Sequence, residues 1–310
     1  MDISNSTEIS SYLGFYLLMR SVTGLVLYPI FCLVGIPANI IGMIVLSRKK
    51  MRSTANTFLL ILLGSNLLHV LNDMLYFICI MLGRTVSSTV SERAYKSLAP
   101  YAHYLFNSTM TCTAWITVTI ATERFICVRY AQKARRIVTH TRAVIISVFI
   151  VITTLTLSVP LELREEFRAN QTTEQSDTLI TFSKAYNLCY YILRALIPIV
   201  IITVLSILIL LRLQKTRLRK AKKKATKTLL LTIISFVVCI LPDAILSSYG
   251  RLFYHEPDYL LLGIAEITDF LLLFNSTTNI ILYGCSCQQF MQQLKSIFHC
   301  AQRRRRRLRV

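Results

Sequence analysis

Three carboxylates and one guanidinium stand where such groups are expensive. Asp73, Arg194, Asp243 and Asp269 each interrupt a long apolar stretch of this 310-residue chain. A charge at membrane depth is retained where it faces a partner or a water-filled cavity, so each marks a functional position by default. Asp73 follows Asn66 by seven residues and shares its helical face. Arg194 lies one turn before Pro198, Asp243 directly follows Pro242, and Asp269 falls in the outer half of the last stretch. Converging in one end of a helical bundle, the four would form a polar cavity open to the outside. Its excess of acid suits a cationic ligand, held by charge-assisted hydrogen bonds to a guanidinium or amine. The alternative is an internal pair between Arg194 and one carboxylate with no ligand, which still leaves two carboxylates in need of partners.

Seven apolar stretches must position these groups: residues 23–47, 57–82, 97–126, 143–161, 186–211, 228–249 and 260–284. Each reaches or nearly reaches the ~20 residues that a helix needs to cross a hydrocarbon core. Helices satisfy their own backbone in lipid, so the expected fold is an all-α, seven-transmembrane bundle. Of the 35 Lys and Arg residues, 26 lie in residues 48–52, 124–142, 212–227 and 295–310, which are alternate connections and the tail. The positive-inside rule makes that side cytoplasmic and places the N-terminus outside. The expected organisation is an external N-terminal tail over 1–23, polar and mobile, and the bundle over 24–285. An amphipathic surface helix over 286–300 and a polybasic cytoplasmic tail over 301–310 follow. In that helix Phe290, Leu294, Ile297 and Phe298 form one apolar stripe, which suits the inner leaflet.

With 54% hydrophobic and 16% charged residues the chain is too apolar for an ordinary soluble domain. Its net charge of +20 does not indicate nucleic acid, because the basic residues flank spans on one face. Anionic inner-leaflet lipids are the nearest partners there. Asp2 and Glu8 stand where a cleaved signal peptide would carry Lys or Arg, so the first span is expected to act as its own targeting signal. Asn5 and Asn170 head glycosylation sequons in external segments, whereas the sequons at Asn107 and Asn275 lie within spans. Six of the nine cysteines lie inside spans as small hydrophobes. Cys285, Cys287 and Cys300 cluster past the seventh span and are palmitoylation candidates, with free thiols the alternative.

Asn39, Asn66, Thr113, Asn275 and Asn279 are polar groups within apolar helices, expected to face inward and hydrogen-bond one another. Pro198 and Pro242 free backbone carbonyls in the fifth and sixth spans and can act as hinges. His69 reads as a packing residue. Neither a metal-ligand cluster nor a nucleophile–base pair occurs, so no enzyme, metal or cofactor is expected. Internal repeats and broken midplane helices, the marks of a transporter, are also missing. A transporter or channel therefore stands as the alternative from another class.

Several motifs resemble those of rhodopsin-like (class A) G-protein-coupled receptors, and the likeness runs over about residues 24–300. The first span carries Gly35-Ile36-Pro37-Ala38-Asn39, and the second Leu62-Leu63-Gly64-Ser65-Asn66-Leu67-Leu68. The third ends in Glu123-Arg124-Phe125, similar to the family's Asp/Glu-Arg-Tyr. Pro198 matches the fifth-helix proline, and Phe236-x-x-Cys239-Ile240-Leu241-Pro242 resembles the sixth-helix Phe-x-x-Cys-Trp-x-Pro. Asn279-Ile280-Ile281-Leu282-Tyr283 resembles the seventh-helix Asn-Pro-x-x-Tyr. The resemblance implies a plasma-membrane receptor that binds an extracellular ligand and couples to a heterotrimeric G protein through Glu123, Arg124, Phe125, Asn279 and Tyr283. It also implies that Arg124 pairs with Glu123 at rest. The second restraint, an acid at the cytoplasmic end of the sixth helix, is replaced by Lys222-Lys223-Lys224, which implies appreciable basal signalling.

Departures from the family pattern are informative. Asn66 replaces the usual Asp, Phe149 and Ile240 replace tryptophans, and Ile280 replaces a proline. Ala99 stands where the third helix normally carries Cys, so the family's external disulfide is absent. The position that bears an Asp in aminergic receptors is Phe106, and no Lys occurs between Lys227 and Lys295 for an opsin's Schiff base. Within the family the pattern is similar to invertebrate FMRFamide-type neuropeptide receptors. That likeness implies a small basic, amidated peptide ligand meeting Asp73, Phe106, Arg194, Asp243 and Asp269. A chemosensory receptor of the same fold for a small non-peptide ligand is the alternative.

Overall fold

The computed structural model describes residues 3–85, 88–170, 185–215, 230–231, 233–246, 258–286 and 289–297. Nearly all of these residues are helical. Five helices are long and apolar enough to cross a membrane, centred on Ser11–Leu46, Thr54–Cys79, His140–Leu161, Ala185–Gln214 and Tyr259–Asn279. Ile233–Leu246 is the described part of the sixth span and is shorter. The third span belongs to a helix of 42 residues, Ser88–Arg129, and is more polar than the others. Its hydroxyls are satisfied locally. Thr109, Thr111, Thr117, Thr119 and Thr122 each donate to the carbonyl four residues earlier. Such a helix belongs in protein rather than lipid, and Met110, Cys112, Ala114, Ile116, Val118, Ile120 and Ala121 on it are buried.

Around this central helix the core forms two large clusters. One joins Met110, Ala114, Val118 and Ala121 to Ala195, Ile199 and Ile202 of the fifth span, Ile233, Phe236 and Ile240 of the sixth, and Leu272 of the seventh. The other lies toward the opposite end, among Val45, Leu46, Met51, Phe58, Leu62, Ile116 and Ile120. Leu33, Phe149 and Val238 point outward, 67%, 69% and 61% exposed, which is what a lipid-facing surface requires. Gly35 lets the first and seventh spans approach closely, since a Cβ there would stand 2.6 Å from Thr277 Oγ1.

Three boundaries differ from the sequence expectation. Residues 3–22 form a helix, Ile3–Val22, that continues through a π-turn at Thr23–Leu27 into Tyr28–Leu46. No proline interrupts residues 3–22, and this helix packs on the seventh span. The fourth helix runs to Asn170, past the expected end at residue 161. The fifth begins at residue 185 and bears a second π-turn at Ile192–Leu196, directly before Pro198. Pro198 has no N–H for the Arg194 carbonyl, which accounts for the locally widened turn.

Residues 289–297 are helical, as the apolar stripe suggests. Phe290 is buried in the core cluster with Leu294 and Ile297 packed beside it. Gln289 Nε2 donates to the Lys50 carbonyl, and Arg48 Nη1 donates to Gln293 Oε1 and Ser296 Oγ, so the helix is tied to the first connection. Phe298, Cys287, Cys300, residues 301–310 and Lys222-Lys223-Lys224 lie outside the described residues, as do the side chains of Asn5, Asn170, Tyr283 and Cys285.

Among the described residues, Cys32, Cys112, Cys189 and Cys239 form no disulfide. Mild reduction with dithiothreitol should therefore leave the thermal unfolding of the purified protein, and the agonist response of intact cells, unchanged. A clear drop in either would reveal a disulfide.

Candidate functional site

Four spans deliver a continuous run of polar and aromatic side chains near one end of the bundle. On the second span, His69 and Asp73 are one turn apart, with Nε2 and Oδ2 separated by 3.5 Å and no hydrogen bond between them. The His69 ring lies 5.5 Å from the Phe106 ring of the third span. The Phe106 face carries the Arg194 guanidinium of the fifth span at 5.0 Å, and Tyr191 contributes a second ring at 5.8 Å. Arg194 donates from Nη1 to Asn107 Oδ1 at 3.0 Å and from Nη2 to Asp243 Oδ2 of the sixth span at 3.2 Å.

Of the carboxylates in the spans, Asp243 is the one that Arg194 bonds. The local cause is the π-turn, which contains Arg194 and leaves the side chain buried between the third and sixth spans. Asn107 completes the geometry, with Nδ2 donating to the His103 carbonyl at 3.0 Å. Tyr190 braces the same region, its hydroxyl lying 2.8 Å from Thr111 Oγ1 and donating to the Asn107 carbonyl. A guanidinium flanked by two rings, an amide and a carboxylate is fully engaged.

Removing one member of such a buried pair leaves a charge uncompensated. Arg194→Ala should destabilise the protein by about 3–5 kcal/mol, whereas replacing the pair together, Arg194→Met with Asp243→Leu, should recover most of that loss. Thermal unfolding of the purified variants checks this; equal melting of the single and double variants would show that the pair is not a structural link.

Asp269 differs from Asp243. Among the described residues it has no hydrogen bond or salt bridge, though it lies within electrostatic reach of Asp243, Glu266 and Arg194. It is also close enough to Asp73 for the two carboxylates to repel. Asp73 Oδ2 likewise has no hydrogen-bond partner among the described residues. The site therefore holds one ion pair, Arg194–Asp243, and two further acids, Asp73 beside His69 and Asp269, within electrostatic reach of each other.

His69, Asn107 and Glu266 belong to this region and were not singled out as site residues from sequence. Each had a local signal: His69 precedes Asp73 by four residues, Asn107 adjoins Phe106, and Glu266 precedes Asp269 by three. The spacings of four and three put His69 beside Asp73 and Glu266 beside Asp269 on one helical face.

The interior asparagines do not bond to one another as expected. Asn39 Nδ2 reaches the Gly35 and Ser276 carbonyls, and Asn66 Oδ1 accepts from Thr113 Oγ1 at 3.4 Å. Asn275 and Asn279 Oδ1 have no hydrogen-bond partner among the described residues. The Thr113 hydroxyl shares its one proton between Asn66 Oδ1 and Ser65 Oγ, and Ser65 donates to the Thr109 carbonyl.

At the far end of the third span, Arg124 donates to Glu123 through Nη2 at 2.7 Å and through Nε at 3.1 Å. Phe125 packs against the cluster of Val128, Ile209, Leu213 and Leu230, which joins the third, fifth and sixth spans. Asn279 is buried on the seventh.

Comparison with known proteins agrees with this layout. The sequence profile of the 7 transmembrane receptor (rhodopsin family) matches residues 38–283. The FMRFamide receptor of Drosophila melanogaster is 25% identical over 297 residues, covering 88% of this chain and 53% of that receptor. Galanin receptor 2a of Danio rerio is 24% identical, covering 93% of this chain and 81% of its own length. Galanin receptor type 1 of Mus musculus is 23% identical, covering 89% and 81%. The chain thus spans about half the length of the fruit-fly receptor.

Proposed function

The chain belongs to the rhodopsin family of seven-transmembrane receptors, and from that premise we propose that its outer cavity binds a small basic, amidated neuropeptide and that binding activates a heterotrimeric G protein. Membership makes the chain a multi-pass plasma-membrane receptor and not an enzyme. The N-terminus faces outside, the polybasic connections face the cytosol, and anionic inner-leaflet lipids meet the basic residues there.

One observation carries the ligand class: Asp73, beside His69, and Asp269 lie within electrostatic reach of each other next to an Arg194–Asp243 bond that is already made. A peptide guanidinium fits between them, and Phe106 and Tyr191 offer aromatic surface to a neighbouring ring. The names of two relatives, a receptor for FMRFamide and a receptor for galanin, support a peptide over an amine. A G protein would engage at Arg124, with Glu123, Phe125, Asn279 and Tyr283 around it.

A library of short amidated peptides, scored by calcium or cyclic-AMP response in transfected cells, tests the proposal. Peptides with Arg or Lys should be the active ones. Hits confined to neutral peptides or small non-peptide odorants would replace the basic-peptide ligand.

A further inference from the structure

The N-terminal helix makes an unusually close contact with the seventh span. A Cβ placed on Gly263 would stand 2.5 and 2.6 Å from ring carbons of Phe15 and 3.4 Å from the Tyr16 Cα. Only glycine permits that approach. The Tyr16 and Tyr259 rings meet at 6.2 Å, and Arg20 donates to the Tyr16 hydroxyl at 3.1 Å. Two turns further along, buried Thr23 donates through Oγ1 to Glu266 Oε2 at 3.0 Å and sits in the first π-turn. Contacts therefore follow the seventh span from Tyr259 through Gly263 to Glu266. The next turn of that span carries Asp269.

We propose that the helix Ile3–Val22 is a fixed wall of the ligand cavity, held on the seventh span by the Phe15–Gly263 contact and the Thr23–Glu266 hydrogen bond, and that it limits by size which ligands reach Asp269. The ligand half of this statement rests on the outer cavity being the binding site; the docking half does not. Gly263 lies six residues above Asp269, roughly 9 Å along the helix axis, so the wall stands at the mouth rather than in the floor of the site. With the family's external disulfide absent, the covering that a tethered loop would supply falls to a segment tethered by packing. Gly263 and Glu266 are then specificity-determining residues without touching the floor of the site.

The docking half is tested with Tyr16→Cys combined with Gly263→Cys in the Phe15→Ala background, where the shortened side chain leaves room for the new Cβ. The Tyr16 Cα stands only 3.4 Å from a Gly263 Cβ, so the two positions are neighbours when the helix is docked. On intact cells under mild oxidation the pair should become resistant to a polyethylene-glycol maleimide, and dithiothreitol should restore labelling. Labelling that oxidation leaves unchanged means a free tail and overturns the proposal.

The size limit is tested with Asp269→Cys, comparing the small cation 2-aminoethyl methanethiosulfonate with a bulky cationic maleimide and subtracting the rates of the chain with Asp269 intact. Gly263→Val, by overpacking the contact, should raise the bulky reagent's rate at least about tenfold and leave the small reagent's rate little changed. Phe15→Ala added to Gly263→Val makes room for the valine and should restore exclusion. Equal rates for the bulky reagent in all three backgrounds overturn the wall. Since these assays need no agonist, a failed peptide screen leaves them interpretable, and their failure leaves the peptide reading standing.

Discussion

Arg124→Ala abolishes agonist-driven G-protein activation while surface expression stays close to wild type. The two halves of this expectation come from different properties of one side chain. Arg124 contacts Glu123 in three hydrogen bonds, two at 2.7 Å and one at 3.1 Å, all to its own sequence neighbour. The pair joins two residues of one helix rather than two spans, so its loss should leave the packing of the seven-helix core in place. Signalling is another matter. In the proposed mechanism the guanidinium leaves Glu123 and meets the incoming Gα helix, and alanine has nothing to offer in its place. Glu123→Gln should act oppositely, raising basal activity by weakening the restraint. Cyclic-AMP or calcium response per receptor at the surface measures both. Normal signalling from Arg124→Ala would remove this switch as the coupling element.

Hydropathy and charge made most of the bundle legible, because lipid imposes length and polarity on each segment independently of its neighbours. What they missed depends on neighbours. Nothing in Ile3–Val22 resembles a membrane span at its polar beginning, and its order comes from Gly263 and Glu266, more than two hundred residues away. The third helix begins at Ser88, ahead of its apolar stretch, in residues that hydropathy registers only as polarity. The candidate site was legible as a set and not as a pairing. Expensive charges announce Asp73, Arg194, Asp243 and Asp269, but which acid takes Arg194 depends on a π-turn at Ile192–Leu196. His69 was legible only as an aromatic in an apolar helix. Its place between Asp73 and Phe106 is a tertiary fact.

That pairing separates the acids into two kinds and so changes what their removal does. Asp243→Asn weakens the bond that holds Arg194, so a loss of surface protein should accompany any loss of response. Asp269→Asn removes a carboxylate with no hydrogen bond or salt bridge among the described residues, and relieves its repulsion with Asp73 and Asp243. The variant should therefore fold at least as well as wild type. Its penalty falls on the ligand alone. Losing the partner of a desolvated, charge-paired guanidinium typically costs about 2–5 kcal/mol of binding, roughly 30- to several-thousand-fold in affinity. Allowing for Asp73 to take part of the role, the half-maximal concentration of a basic peptide should rise at least about tenfold. Surface staining should not fall with it. The same substitution should barely affect a neutral analogue with citrulline in place of Arg, because that ligand never made the ion pair. A wild-type response of Asp269→Asn to the basic peptide would mean that the charge is read elsewhere, or that the natural ligand carries none.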